Sequence, residues 1–210
     1  MTNAVLARLR AFVTGTPLEE CELCAQAISL EHEHLLEPEA RRVFCACPAC
    51  AALFAQEQQR QGARYLRVRR RAARLSEVDI DDGTWVELGV PVGLAFFTTR
   101  SRTGEVVATF PGRAGIIETF VPLKAWSELE QRHPAIKSVL PDVEALLVRR
   151  TLRQRDYYQV SIDHCYELSG LLRAADAPLS SPELAVVQSY FARLDEQAGQ
   201  HRHSRRPSAS

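Results

Sequence analysis

Lysine is nearly missing from this 210-residue chain: Lys124 and Lys137 are the only two, and arginine supplies the other 24 of the 26 basic residues. That bias reads as the composition of a GC-rich bacterial genome. Net charge is missing as well, since 26 acidic residues balance 26 basic ones. A chain without net charge has no global field to recruit nucleic acid or an anionic membrane. No apolar run approaches the ~20 residues that span a bilayer. Met1–Val13 carries Arg8 and Arg10 within a periodic pattern, not the continuous apolar centre of a secretory signal. A cytoplasmic location is therefore expected, and there clustered cysteines more often hold a metal than a disulfide. The nucleophile elbow, the P-loop and the dinucleotide fingerprint are all lacking, and no spacing forces carboxylates into a pair. His164 and Cys165 are adjacent, which points them apart on a helix and speaks against a nucleophile–base couple. A non-catalytic protein is the expectation.

What is present is concentrated in residues 21–50. Five of the six cysteines lie there, with His32 and His34 between them. Cys21 and Cys24 form one Cys-x2-Cys pair, and Cys47 and Cys50 form a second after 22 intervening residues. A two-residue spacer lets the chain turn so that both sulfurs face one centre, and two such turns complete a tetrahedron. This spacing is that of a four-thiolate zinc site. Pro48 suits the first position of a helix, and the run from Ala49 to Gln61 is rich in helix formers, with Gly62 as its stop. Cys47 then caps that helix and Cys50 sits in its first turn, where the positive end of the helix dipole favours thiolates. Cys50, Leu53, Phe54 and Glu57 mark the face that begins at the metal. A knuckle followed by a helix carrying the last two ligands is treble-clef-like, although the glycine common after such a knuckle is Ala25 here. Three further donors exceed what one zinc needs. Cys45 stands two residues before Cys47, so an extended segment turns both to one side, and it either substitutes for Cys47 or is a small buried hydrophobe. His32 and His34 alternate onto one strand face in the same way, and His34, followed by Leu35-Leu36, is the better ligand of the two.

The composition, 46% apolar and 25% charged, is that of an ordinary globular protein with a sizeable core. Periodicity predicts an α+β fold in which the zinc knuckle module is docked on an antiparallel sheet flanked by helices. The expected divisions are an N-terminal helix within 1–16, the Cys-rich metal module at 17–62, an α+β domain at 63–198 and a disordered tail at 199–210. Residues 84–121 read as the sheet, with strands Leu94–Thr99, Glu105–Phe110 and Ile116–Val121 and a break at Pro111-Gly112. Arg113, between Gly112 and Gly115, is read as part of a plain turn rather than an anion cradle. A helix follows Pro122 and stops at His133-Pro134. Val143–Val148 and Tyr157–Ile162 are two more strands. Asp163 is the expected N-cap of a helix through Leu172, with Cys165 inward. Ser181-Pro182-Glu183 opens a last helix whose seam is Leu184, Val187, Phe191 and Leu194. Between Arg60 and Arg74 runs an arginine-rich strip, including Arg64, Arg67, Arg69, Arg70 and Arg71. Beside a knuckle it invites a nucleic-acid reading. The nearby Glu77, Asp79, Asp81, Asp82 and Glu87 favour a salt-bridged face instead, with a protein-partner surface as the remaining option.

Taken together, Cys-Glu-Leu-Cys, Glu-His-Glu-His-Leu-Leu, Phe-Cys-Ala-Cys-Pro-Ala-Cys, Val-Pro-Val-Gly-Leu-Ala-Phe-Phe, Leu-Pro-Asp-Val-Glu-Ala-Leu-Leu-Val and Ile-Asp-His-Cys-Tyr-Glu-Leu span roughly residues 20–195. In these stretches the chain resembles an uncharacterised, mostly actinobacterial family encoded beside nickel–iron hydrogenase genes. The resemblance implies an accessory or maturation role with a hydrogenase subunit or maturation factor as partner, and carries over no activity. Cys47-Pro48-Ala49-Cys50 also resembles a rubredoxin knuckle. The alternatives are therefore an iron or iron–sulfur electron-transfer or iron-delivery protein using the same cysteines, or a nucleic-acid-binding zinc protein using Arg64–Arg74.

Overall fold

A computed structural model describes residues 19–55, 63–112, 115–175 and 185–204. The expected first helix, Arg113 and the Ser181–Leu184 start of the last helix lie outside them. The chain divides into two compact units, Met1–Arg69 and Arg70–Ser210.

In the first unit, two very short strands, β1 (Glu19–Glu20) and β2 (Ala27–Ile28), pair antiparallel on either side of the Cys21–Cys24 turn. A hairpin follows, β3 (Glu33–Glu37) with β4 (Arg42–Ala46), and then helix α1 (Pro48–Ala55). Strand β5 (Leu66–Val68) returns to the free side of β3, giving the order β4-β3-β5. This pairing places Leu66–Val68 with the cysteines. The core is small: Cys21, Ile28, Leu35, Phe44, Ala46, Cys47, Ala51 and Tyr65. Tyr65 is its hub, edge-on to Phe44 at 5.5 Å and to Phe54 at 4.9 Å. Helix α1 turns Ala51 fully inward while Leu53 stays 61% exposed. The buried face is thus Cys50, Ala51 and Phe54, one step round from the expected one, because the helix is anchored by Cys47 and Cys50 rather than by Leu53.

The second unit is built on a six-stranded antiparallel sheet. Its strands are β6 (Ala72–Arg74), β7 (Leu94–Thr99), β8 (Val106–Gly112), β9 (Gly115–Phe120), β10 (Glu144–Arg150) and β11 (Arg155–Ser161), in the order β6-β11-β10-β7-β8-β9. One face carries Ala95, Phe97, Val106, Ala108, Phe110, Leu146, Val148 and Tyr157. It is covered by α2 (Asp82–Glu87), α3 (Leu123–Arg132) and a 3-10 turn, Pro134–Ser138. Trp85 and Trp126 close on Phe97 from either side at 5.8 and 5.5 Å. The other face meets α4 (Ile162–Ala174) and α5 (Ala185–Ser204), where Phe191 lies 5.7 Å from Tyr158 and beneath the Arg149 guanidinium at 4.3 Å. Covered on both sides, β10 is buried throughout.

Several local expectations are corrected. Residues 82–87 are helix, not the start of the sheet. Asp81 caps them, its carboxylate accepting from the Thr84 N–H and hydroxyl, both at 2.8 Å. Strand β8 runs through Pro111-Gly112, because its ladder with β7 has already ended at Phe96↔Thr109, so the missing proline N–H interrupts nothing there. The hairpin closes at Gly115, whose φ of +134° suits glycine. Ser161, not Asp163, holds the N-cap position of helix α4, without a side-chain capping bond, since β11 passes straight into the helix and Asp163 falls in its first turn. Helix α5 continues past Gly199 to Ser204. An isolated glycine costs only about 1 kcal/mol and does not by itself stop a helix.

Candidate metal centre

The first cysteine pair sits in a tight turn. The Ala25 N–H donates to the Cys21 carbonyl at 2.8 Å and the Cys21 N–H donates to the Gln26 carbonyl at 2.8 Å. Ala25 takes φ +58°, the left-handed conformation for which glycine is the usual residue. The turn therefore takes its left-handed residue with alanine where glycine is usual. The second pair opens α1: the Ala51 N–H donates to the Cys47 carbonyl at 2.9 Å, and the Cys50 N–H donates to Cys47 Sγ at 3.4 Å. Cys47 is the cap that the sequence led us to expect. Glu22 fastens the turn to the hairpin. Its N–H donates to the Cys45 carbonyl at 2.9 Å, and its carboxylate accepts from the Cys45 N–H at 2.7 Å and from Arg42 at 2.7 Å.

These elements bring the sulfurs of Cys21, Cys24, Cys47 and Cys50 within 4.8 Å of one another. Cys24 and Cys47 are 3.7 Å apart. A tetrahedron with metal–sulfur bonds of ~2.3 Å has edges of about 3.8 Å, whereas a disulfide would need about 2.0 Å. None of the six cysteines forms a disulfide. The four sulfurs can hold a metal ion.

Their electrostatics point the same way. Burial would push the Cys21 thiol up, but backbone N–H groups of Cys47, Leu23 and Cys24 outweigh it and lower the group to about 6. Cys50 is pushed up to about 12 by burial and by protons shared with Cys47, Cys24 and Cys21. The Gln26 N–H favours the Cys24 thiolate, yet Cys24 still lies above the ordinary thiol range because of its neighbours and its partial desolvation. The Cys21 proton leaves readily while those of Cys24 and Cys50 resist, as expected where like charges would crowd together. A bound cation removes that conflict.

Cys45, His32 and His34 do not join this cluster. They form a second one, each offering a ligand atom within 4.8 Å of the others. Register explains it: His34 lies directly opposite Cys45 across the hairpin, and His32, two residues earlier, stands 4.6 Å from His34 ring to ring. The His32 side chain is 7% exposed. Its Nδ1 lies 2.9 Å from the Ser29 carbonyl and 3.2 Å from the Glu19 carboxylate, while Nε2 is buried without a hydrogen-bond partner. Such an orphan costs about 1–3 kcal/mol.

The arginine strip divides between the units. Arg64 pairs with Glu37 at 2.8 Å and Arg67 with Glu33 at 2.5 Å in the first, where Arg69 is exposed. Arg70 pairs with Glu167 at 3.1 Å and Arg71 with Glu144 at 3.6 Å in the second. Arg64, Arg67, Arg70 and Arg71 are each salt-bridged within their own unit, but not by the carboxylates that follow them in sequence. Asp81 instead meets Arg132 at 3.2 Å, and Asp82 meets Arg155 at 2.8 Å and Arg150.

Sequence reading missed the buried ionic network of the second unit. Asp156, fully buried, accepts from Arg149 at 2.6 Å and Arg74 at 2.6 Å, and Arg74 reaches Asp195 at 2.8 Å, beside the Tyr158 hydroxyl. Arg149 and Asp156 are cross-strand partners, a juxtaposition that only the β10–β11 register reveals. His164 and Cys165 are both buried. The Tyr190 hydroxyl donates to the His164 carbonyl at 2.8 Å and lies 3.0 Å from the ring Nδ1.

Residues 20–198 match the model of a family described as "Family of unknown function (DUF5947)". The chain belongs to that family. No curated protein and no solved structure matches it. All five clustered cysteines and both clustered histidines fall within the family's matched region. Among the described residues, no helix is long and apolar enough to cross a membrane.

Proposed function

We propose that this chain is a non-catalytic metal-binding accessory or assembly protein whose first unit folds around a zinc ion held by Cys21, Cys24, Cys47 and Cys50. The convergence of those four sulfurs, from a turn and from a helix start, carries the reading. The order of knuckle, hairpin and helix agrees with a treble-clef-like module. The core beside it is so small that two of its members, Cys21 and Cys47, are thiols of the cluster itself. In such a unit metal-binding free energy is folding free energy. Reduced thiols suit a cytoplasmic setting.

The association with nickel–iron hydrogenase maturation or function is supported by the resemblance of the motifs. The partner on this reading is a hydrogenase subunit or maturation factor, contacted through Arg64, Arg67, Arg69, Arg70 and Arg71. The carboxylate partners of Arg64, Arg67, Arg70 and Arg71 speak against nucleic acid, which would have to displace them.

Purification of the full chain with metal analysis and an optical spectrum tests the metal. A colourless protein with stoichiometric zinc, stripped only by a strong chelator together with loss of structure, is the expected result. Sulfur-to-iron charge-transfer absorption would transfer the same four ligands to the iron alternative. Co-purification of a hydrogenase component that fails when Arg67, Arg69 and Arg70 are replaced by serine tests the partner.

A further inference from the structure

We infer that the first unit carries a second metal site, formed by His32, His34 and Cys45, which takes one borderline d-block ion of the zinc–cobalt class. It shares no residue with the four-cysteine cluster and does not depend on it for donors.

The hairpin builds the site. His34 and Cys45 are opposite residues of β3 and β4, and opposite side chains in an antiparallel pair stand close on the same face. His32 joins them from just before β3, and all three ligand atoms lie within 4.8 Å of one another. Two imidazoles and a thiolate match the preferences of zinc-like ions. The decisive group is His32. Its Nδ1 faces the Ser29 carbonyl at 2.9 Å and the Glu19 carboxylate at 3.2 Å. A metal-bound imidazole is held in the same way, with its other nitrogen donating to a carbonyl or carboxylate that fixes ring and tautomer. With the proton on Nδ1, the lone pair is on Nε2, which is buried on a side chain more than nine-tenths inaccessible and has no hydrogen-bond partner. An ion supplies the missing partner.

The site differs in kind from its neighbour. Three protein donors leave a position for water or another ligand, the pattern of exchangeable and reactive ions rather than of closed structural ones. His34 and Cys45 are each partly accessible as whole residues, while the His32 ring forms the buried wall of the site.

The test uses the full chain, prepared under reducing conditions with one equivalent of zinc and then titrated with a second, while nitrogen-15 spectra of the imidazoles are recorded. The second equivalent is expected to shift His32 Nε2 and one His34 nitrogen, with His32 Nδ1 remaining protonated. Cobalt in place of zinc should add a d–d band with single-thiolate charge transfer after the stronger multi-thiolate bands of the first equivalent. His34→Ala and Cys45→Ser should each lower bound metal from two ions to one and leave those first bands unchanged. Wild-type spectra in which the second equivalent moves no imidazole nitrogen overturn the inference without any variant, and so do variants that still hold two ions. Failure of the four-cysteine reading would appear separately, as absence of the multi-thiolate bands.

Discussion

Cys24 offers the sharpest separation between a metal cluster and a chance gathering of thiols, because it is exposed. An exposed side chain without a special role tolerates replacement, and serine there should leave exchange of the buried amides within about two- to threefold of wild type. As one of four zinc ligands it behaves quite differently. Structural zinc contributes on the order of 10–16 kcal/mol of apparent binding free energy to small modules. Whole domains are stable by only about 5–15 kcal/mol. Loss of one thiolate opens the closed tetrahedron, and release of the ion then removes more than this unit, with its core around Leu35, Phe44 and Tyr65, can spare. Amide hydrogen exchange on the full chain reads this directly, since Leu35 and Phe44 lie opposite each other in the β3–β4 pair. In Cys24→Ser and Cys50→Ser their protection should fall to that of the chelator-treated wild type, while β10 and β11 keep theirs. Cys165→Ser, in the apolar interior of the other unit, should cost only about 1–2 kcal/mol and leave β3 and β4 unaffected. Equal and mild effects at all three positions would refute the reasoning.

Other expectations follow from the same geometry. Ala25→Gly should strengthen the first unit by about 0.5–1 kcal/mol, measured as tighter zinc retention in chelator competition, because glycine adopts φ +58° without the side-chain penalty. Asp156→Ala should cost the second unit about 3–5 kcal/mol in denaturant unfolding, since it strands Arg149, which is buried, and deprives Arg74 of a partner. His164 is lowered to about 4, first by burial and then by Arg70. An unfolded histidine titrates near 6.5, so between those values the unfolded chain binds more protons. Stability is then full above about pH 6.5 and declines as pH falls towards 4, by roughly 3 kcal/mol at most. His164→Gln should flatten that part of the stability–pH profile.

The four-cysteine cluster was legible because ligand spacing is local: Cys-x2-Cys turns and a proline-started helix carry their geometry in a few residues. Strands β7, β10 and β11 and the seam of α5 at Val187, Phe191 and Leu194 were legible through periodicity and apolar content. Strand-end details were not, since Pro111 and Ser161 take their roles from where neighbouring ladders stop. The least legible features were those that depend on register. Nothing in the order of the chain puts Cys45 opposite His34 rather than beside Cys47, or Asp156 opposite Arg149. The arginine strip was correctly expected to be paired, yet its partners Glu33, Glu37, Glu144 and Glu167 come from distant segments, which proximity in sequence cannot supply.

The most direct measurement is X-ray absorption at the zinc edge on the full chain carrying its first, tightly held equivalent. Four sulfur neighbours at about 2.3 Å are predicted, with no nitrogen or oxygen in the inner shell. A shell containing light atoms in place of any of the four sulfurs, or a chain that retains no zinc after dialysis, would contradict the account.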